Sequence, residues 1–118
     1  MGSGKVSLAL WSNSSHVAWV RDNDLFITRI TASGNHTEIR ITNDGSKKII
    51  NGIADWVYEE EVLASHTAMW FSPDGDLIAY LKFNETLVPE YKFQMYETPH
   101  STYNRDVSVK YPKPGCFD

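Results

Sequence analysis

Apolar and polar residues alternate in short bursts along the first part of the chain. Val6, Leu8 and Leu10 fall on one face of a segment from Lys5 to Trp11, with Ser7 and Ala9 between them. This is the period-two signature of a strand. From His16 to Val20, Val17 and Trp19 share one face and Ala18 and Val20 the other, which predicts a strand covered on both sides. Leu25 to Ile30 reads as a third strand, and Glu38 to Thr42, through Ile39, Arg40 and Ile41, as a fourth. The intervening Ser12-Asn13-Ser14-Ser15, Arg21-Asp22-Asn23-Asp24, Thr31 to Thr37 and Asn43-Asp44-Gly45-Ser46 carry turn residues. Four short antiparallel strands joined by tight turns form one blade of a β-propeller.

The pattern then begins again. Trp70-Phe71-Ser72-Pro73-Asp74-Gly75-Asp76-Leu77-Ile78-Ala79-Tyr80-Leu81 parallels Leu10-Trp11-Ser12-Asn13-Ser14-Ser15-His16-Val17-Ala18-Trp19-Val20, with one residue fewer in the first turn. The shared unit is an aromatic residue, Ser, a turn, and then an aliphatic-Ala-aromatic run. Two copies argue for a repeat architecture. The predicted fold is all-β, a partial propeller of about two to three four-stranded antiparallel blades. Trp11, Trp19, Phe71 and Tyr80 are expected to be largely buried.

Between the copies, Asn51-Gly52-Ile53-Ala54-Asp55-Trp56-Val57-Tyr58-Glu59-Glu60-Glu61-Val62-Leu63-Ala64 breaks the strand pattern. Asp55 suits an N-cap, and the acidic residues after it suit the positive end of a helix. A short helical insertion from Asp55 to Leu63 is expected, carrying the glutamate run. A second irregularity spans Asn84 to Lys92, where Pro89 favours an edge strand or a bulge.

Composition narrows the class. The chain has 118 residues, 42% of them hydrophobic and 13% aromatic, with a net charge of -4. It is one domain at most, or a piece of one. The acidic balance and the lack of a Lys/Arg block speak against nucleic acid as a partner. No apolar run approaches the roughly 18 residues that cross a bilayer. Met1-Gly2-Ser3-Gly4 reads as a cloning scar rather than a secretory signal, leaving 5–118 as a fragment of a larger domain that ends in the turn-rich Tyr111-Pro112-Lys113-Pro114-Gly115-Cys116-Phe117-Asp118. The lone Cys116 has no disulfide partner in the chain.

Candidate chemistry is sparse. There is no nucleophile elbow, no phosphate loop and no metal-ligand spacing, so no catalytic residue, metal or cofactor is expected. His16, His36, His66 and His100 are scattered and read as ordinary loop or strand histidines. Three sequons, at Asn13, Asn35 and Asn84, fall on predicted turns or loops. They are either plain turn residues or glycan acceptors that indicate the secretory pathway. Glu59-Glu60-Glu61 is either a solvated acidic face or, because two neighbouring carboxylates can converge on one small cation, a site for an ammonium group.

The stretch from Asn51 to Val62 closely resembles the signature segment in the propeller of the dipeptidyl peptidase IV family. The Trp70 to Gly75 and Ile78 to Tyr80 segments look like that family's blade repeat. Arg21 to Ile27, Phe83 to Thr86, Val88-Pro89 and Tyr111 to Gly115 continue the similarity, which is closest to fungal members. The resemblance implies a serine exopeptidase that releases N-terminal dipeptides with Pro or Ala in second place. It implies an eight-bladed N-terminal propeller, to which 5–118 would belong, followed by an α/β-hydrolase domain that bears the Ser-Asp-His triad and is absent here. It assigns Glu60 and Glu61 to the substrate's α-ammonium and leaves Glu59 a structural residue. An arginine that assists the carbonyl side in the family lies outside this chain. A secreted parent, or one anchored in a vacuolar or cell-surface membrane, is expected.

The first copy of the repeat departs from the family pattern, with Ser12-Asn13-Ser14-Ser15 in place of Ser-Pro-x-Gly. Two or three blades cannot close an eight-bladed ring, and exposed blade edges favour self-association. A propeller fragment of a non-catalytic relative serving as an interaction scaffold is the alternative, with an unrelated propeller scaffold behind it. Retention of Glu60 and Glu61 favours the peptidase.

Overall fold

The computed structural model describes residues 5–12, 15–95 and 105–115. Met1 to Gly4, the acceptor Asn13, His100 and Cys116 lie outside the described residues. The chain forms two compact units that meet at the Asn84/Glu85 boundary.

In the first unit, β1 (Val6–Trp11), β2 (His16–Arg21), β3 (Asp24–Ile30) and β4 (His36–Arg40) form an antiparallel sheet in sequence order. This is a complete blade. Its tightest turn joins Arg21 to Asp24 through Asp22 (φ 52°) and Asn23 (φ 63°). Positive φ at both central residues is what a two-residue hairpin needs to match the strand twist, and Asn and Asp tolerate it. β4 starts and stops two residues earlier than its apolar pattern suggests. Beyond Arg40 the Thr42 hydroxyl accepts the Leu25 N–H at 3.0 Å, so a side chain takes over from the strand ladder. All of β4 is exposed, and it forms one edge of the sheet.

After the blade, β5 (Ile49–Asn51) pairs with β8 (Lys82–Asn84), and β6 (Met69–Phe71) pairs with β7 (Ile78–Tyr80). The repeat seen in the sequence is geometric. Ser12 N–H donates to the His16 carbonyl at 2.9 Å, and Ser72 N–H to the Leu77 carbonyl at 2.9 Å. In each turn the serine hydroxyl accepts the returning N–H, from His16 at 3.2 Å and from Leu77 at 2.9 Å.

The core joins these pieces. Ala18, Val20, Leu25, Ile50, Ile53 and Met69 are buried together, with Leu8, Leu10, Ile27, Phe71 and Tyr80 packed around them. On the opposite face of the blade, Trp19 stacks on Phe26 with ring centroids 4.4 Å apart, and the Trp19 indole donates to Thr28 Oγ1 at 2.9 Å. The Arg21 and Arg40 guanidiniums both lie over Phe26.

Of the four aromatics expected inside, Trp19 is buried and Phe71 and Tyr80 are half-buried, but Trp11 is 65% exposed. The pleat explains this correction. Leu8 and Leu10 face the core, so Trp11 has the opposite parity and lines an open groove with Thr67, Met69 and Trp70.

In the second unit, β9 (Glu90–Met95) and β10 (Arg105–Lys110) form an antiparallel pair, with Glu90 opposite Lys110. Pro89 stands just before β9, where its missing N–H costs nothing, and its carbonyl accepts the Tyr111 N–H at 3.1 Å.

Candidate functional site

The glutamate run sits on a loop whose two ends are tied together. Asn51 N–H donates to the Asn23 carbonyl at 3.1 Å, anchoring the approach to the blade's tight turn. Gly52 follows with φ 78°. Its N–H reaches the Leu81 carbonyl at 3.0 Å and its carbonyl accepts the Ala68 N–H at 3.1 Å. Ile53 bridges Thr67, and the Ala54 N–H donates to the His66 carbonyl at 2.9 Å. The chain therefore leaves the core at Ala54 and returns to it at His66.

Between these points lies the expected helical insertion. A short α-helix, α1 (Trp56–Tyr58), passes into a wider turn of i to i+5 winding at Glu59–Leu63. Ala64, in the left-handed region at φ 48°, ends it. Asp55 occupies the N-cap position but makes no side-chain cap bond. Its backbone carbonyl accepts the Glu59 N–H at 2.8 Å instead. Val57 is buried, and the Tyr58 ring meets Phe83 at 4.8 Å between centroids. Of the other apolar residues beside the run, Trp56 and Val62 are exposed and Leu63 is half-buried, so Val57 supplies the buried contact.

The three carboxylates differ. Glu59 Oε2 lies 3.1 Å from His66 Nδ1, with the two side chains 40% and 42% exposed. Glu60 and Glu61 are both exposed. The loop thus presents two adjacent carboxylates to solvent while the third is engaged by a histidine. Such a pair suits a cation of ammonium size. Among the described residues, no cluster of three His, Cys, Asp or Glu side chains could hold a metal ion.

His66 was not singled out by the sequence, where it reads as an ordinary loop histidine. Its contact with Glu59 depends on loop closure, and no spacing rule encodes that. Of the sequons, Asn35 is exposed at the β3–β4 hairpin, its carbonyl accepting the Thr31 N–H at 2.9 Å, and Asn84 is exposed at the end of β8.

A family model described as the dipeptidyl peptidase IV (DPP IV) N-terminal region matches residues 1–117. The chain belongs to the dipeptidyl peptidase IV family. It is 44% identical over 115 residues to dipeptidyl peptidase 4 of Trichophyton tonsurans, covering 94% of this chain and 14% of that relative. It is 43% identical over 115 residues to dipeptidyl peptidase 4 of Trichophyton rubrum, with 94% and 14% covered. The crystal structure of Porphyromonas gingivalis dipeptidyl peptidase 4 matches with a TM-score of 0.76 at 38% identity, over 98% of this chain and 16% of that one. The chain therefore spans about one seventh of the curated dipeptidyl peptidase IV relatives it matches. Its blade and the strands that follow are a part of the family's all-β propeller.

Proposed function

We propose that this chain is the substrate-anchoring part of a serine dipeptidyl peptidase that releases N-terminal Xaa-Pro and Xaa-Ala dipeptides, with Glu60 and Glu61 binding the peptide's α-ammonium. The observation that carries the reading is the tied loop, which leaves Glu60 and Glu61 exposed side by side while Glu59 is engaged by His66. The names of the dipeptidyl peptidase relatives support the activity.

A dipeptide cutter must measure two residues from a chain end, and the α-ammonium is the one group unique to that end. Carboxylates held at a fixed distance from the reacting serine supply both the charge complement and the measure. The serine, with its triad, would come from an α/β-hydrolase domain elsewhere in the parent protein. Exposed Asn35 and Asn84 support passage of that parent through the secretory pathway, as a secreted or membrane-anchored enzyme.

The test is steady-state kinetics of Glu60→Ala and Glu61→Ala on one Xaa-Pro substrate in the full-length enzyme. A large loss of kcat/KM in both supports the reading. Near wild-type kcat/KM in both, with normal folding, overturns it and leaves the run a solvated face on a scaffold.

A further inference from the structure

We propose that His66 is a positioning residue for the Glu60–Glu61 pair, holding the turn that presents it through the Glu59 carboxylate. The inference rests on the reading of Glu60 and Glu61 as the ammonium site.

His66 is bound at two places to two different parts of the loop. Its carbonyl accepts the Ala54 N–H at 2.9 Å, where the loop begins. Its ring meets Glu59 Oε2 at 3.1 Å, in the middle of the loop. One residue thereby ties the start, the middle and the end of the loop into a closed frame.

The winding makes such a tie necessary. The α-helical part ends at Tyr58, and the wider turn that follows has weaker hydrogen-bond geometry to hold its side-chain directions. The packed anchors Val57 and Tyr58 both precede Glu59. Glu60 and Glu61 come directly after it, so fixing the Glu59 side chain fixes the rotation of the turn that carries them.

Charge acts in the same direction. Three consecutive carboxylates repel one another, and each favours a conformation that spreads them apart. A ring N–H donated to Glu59 withdraws one carboxylate from that competition and leaves two for the incoming cation. Both partners are about two-fifths exposed, so the pair contributes little to global stability. Its effect is on geometry, which a site that must place a scissile bond registers strongly.

The experiment uses the full-length enzyme with His66→Ala, His66→Asn, Glu59→Gln and the His66→Ala/Glu59→Gln double variant, beside Glu60→Ala. Asn keeps a donor near the Nδ1 position. Labelling of the catalytic serine by a phosphonylating reagent without an amine reports folding. His66→Ala and Glu59→Gln are expected each to lower kcat/KM for a free-amine Xaa-Pro substrate by about 3- to 10-fold, with the double variant no worse than either, because residues acting as one unit are non-additive. His66→Asn is expected to stay within about twofold of wild type, and serine labelling to persist in all, since the tie acts on presentation of the pair.

Wild-type kcat/KM in His66→Ala alongside a collapse in Glu60→Ala overturns the positioning role and leaves the ammonium site standing. Wild-type kcat/KM in Glu60→Ala overturns the site itself. If the alanine variant fails to label, His66→Asn decides: normal labelling with a loss of fivefold or more shows that a donor at this position is not what matters.

Discussion

Arg40 Nη2 lies 2.6 Å from Asp24 Oδ2, joining the end of β4 to the start of β3 beneath the blade's tightest turn. Asp24 is buried, and its other oxygen accepts from the Thr42 hydroxyl at 2.8 Å and from the Gly45 N–H at 2.8 Å. Burial opposes the carboxylate's charge. The hydrogen bonds from Thr42, Arg40 and Gly45, with the Arg40 charge, outweigh it and hold the Asp24 carboxyl below the usual carboxylate range.

That depression gives a pH dependence with a definite sign. A carboxyl whose folded pKa is lowered stabilises the fold above its unfolded value, near 3.9, and the contribution is lost as pH falls through the lower folded value. Urea unfolding between pH 6 and pH 2 should therefore show an acid limb below about pH 4. In Asp24→Ala that limb should shrink. The variant should also lose about 1–3 kcal/mol at neutral pH, because Thr42 and the Gly45 N–H lose a buried acceptor.

Gly45 is where a side chain cannot go. A Cβ there would stand 2.6 Å from the Asn23 carbonyl carbon and 2.7 Å from the Asp22 and Asn23 carbonyl oxygens. These are backbone atoms of the Asp22–Asn23 turn and cannot rotate aside. Gly45→Ala should cost about 1–3 kcal/mol. Gly34→Ala meets nothing within 4 Å and pays only for its φ of 82°, about 1–2 kcal/mol. Paired denaturation midpoints compare the two. Intact stability in Gly45→Ala would refute the close approach of the two turns.

In the full-length enzyme, Glu60→Ala and Glu61→Ala should each lower kcat/KM by roughly 30-fold to several thousand-fold, the range for truncating one partner of a desolvated charge pair. The loss should reach kcat as well as KM, since the pair places the scissile carbonyl. Glu59→Ala should cost much less. Steady-state kinetics of the three variants on one substrate make the comparison.

Expression through a eukaryotic secretory route should attach a glycan at Asn35, at the exposed β3–β4 hairpin. Asn35→Gln should then remove one glycosidase-sensitive step in gel mobility. An unchanged ladder would count against Asn35 as an acceptor.

The parts legible in the sequence are those governed by neighbours along the chain. Strict alternation in β2, and Asp22-Asn23 between apolar runs, define the blade because pleat and turn chemistry are local. The repeat was legible for the same reason, down to the serine that closes each turn. The glutamate insertion stood out because three carboxylates in a row fit no strand.

What stayed hidden depends on distant partners. The Asp24–Arg40–Thr42–Gly45 cluster and the Glu59–His66 contact join segments that only folding brings together. The exposure of Trp11 follows from its parity against Leu8 and Leu10, which its aromatic character masks. The β9–β10 pair is a different miss. Tyr91 and Phe93 alternate with Lys92 and Gln94, and Val107 with Ser108 and Val109, so the signal was present. Attention to Pro89 as a disruption obscured it.

Because the glutamate loop leaves the core at Ala54 and re-enters it at His66, across the Ile53–Thr67 bridge, its interior is insulated from the blade. The residues between those points behave as a cassette. Their length and sequence can drift without moving Met69 or Gly52, which lie on the core side of the bridge. Specificity toward the substrate's terminus can thus evolve on a scaffold that does not have to be refolded to accommodate it.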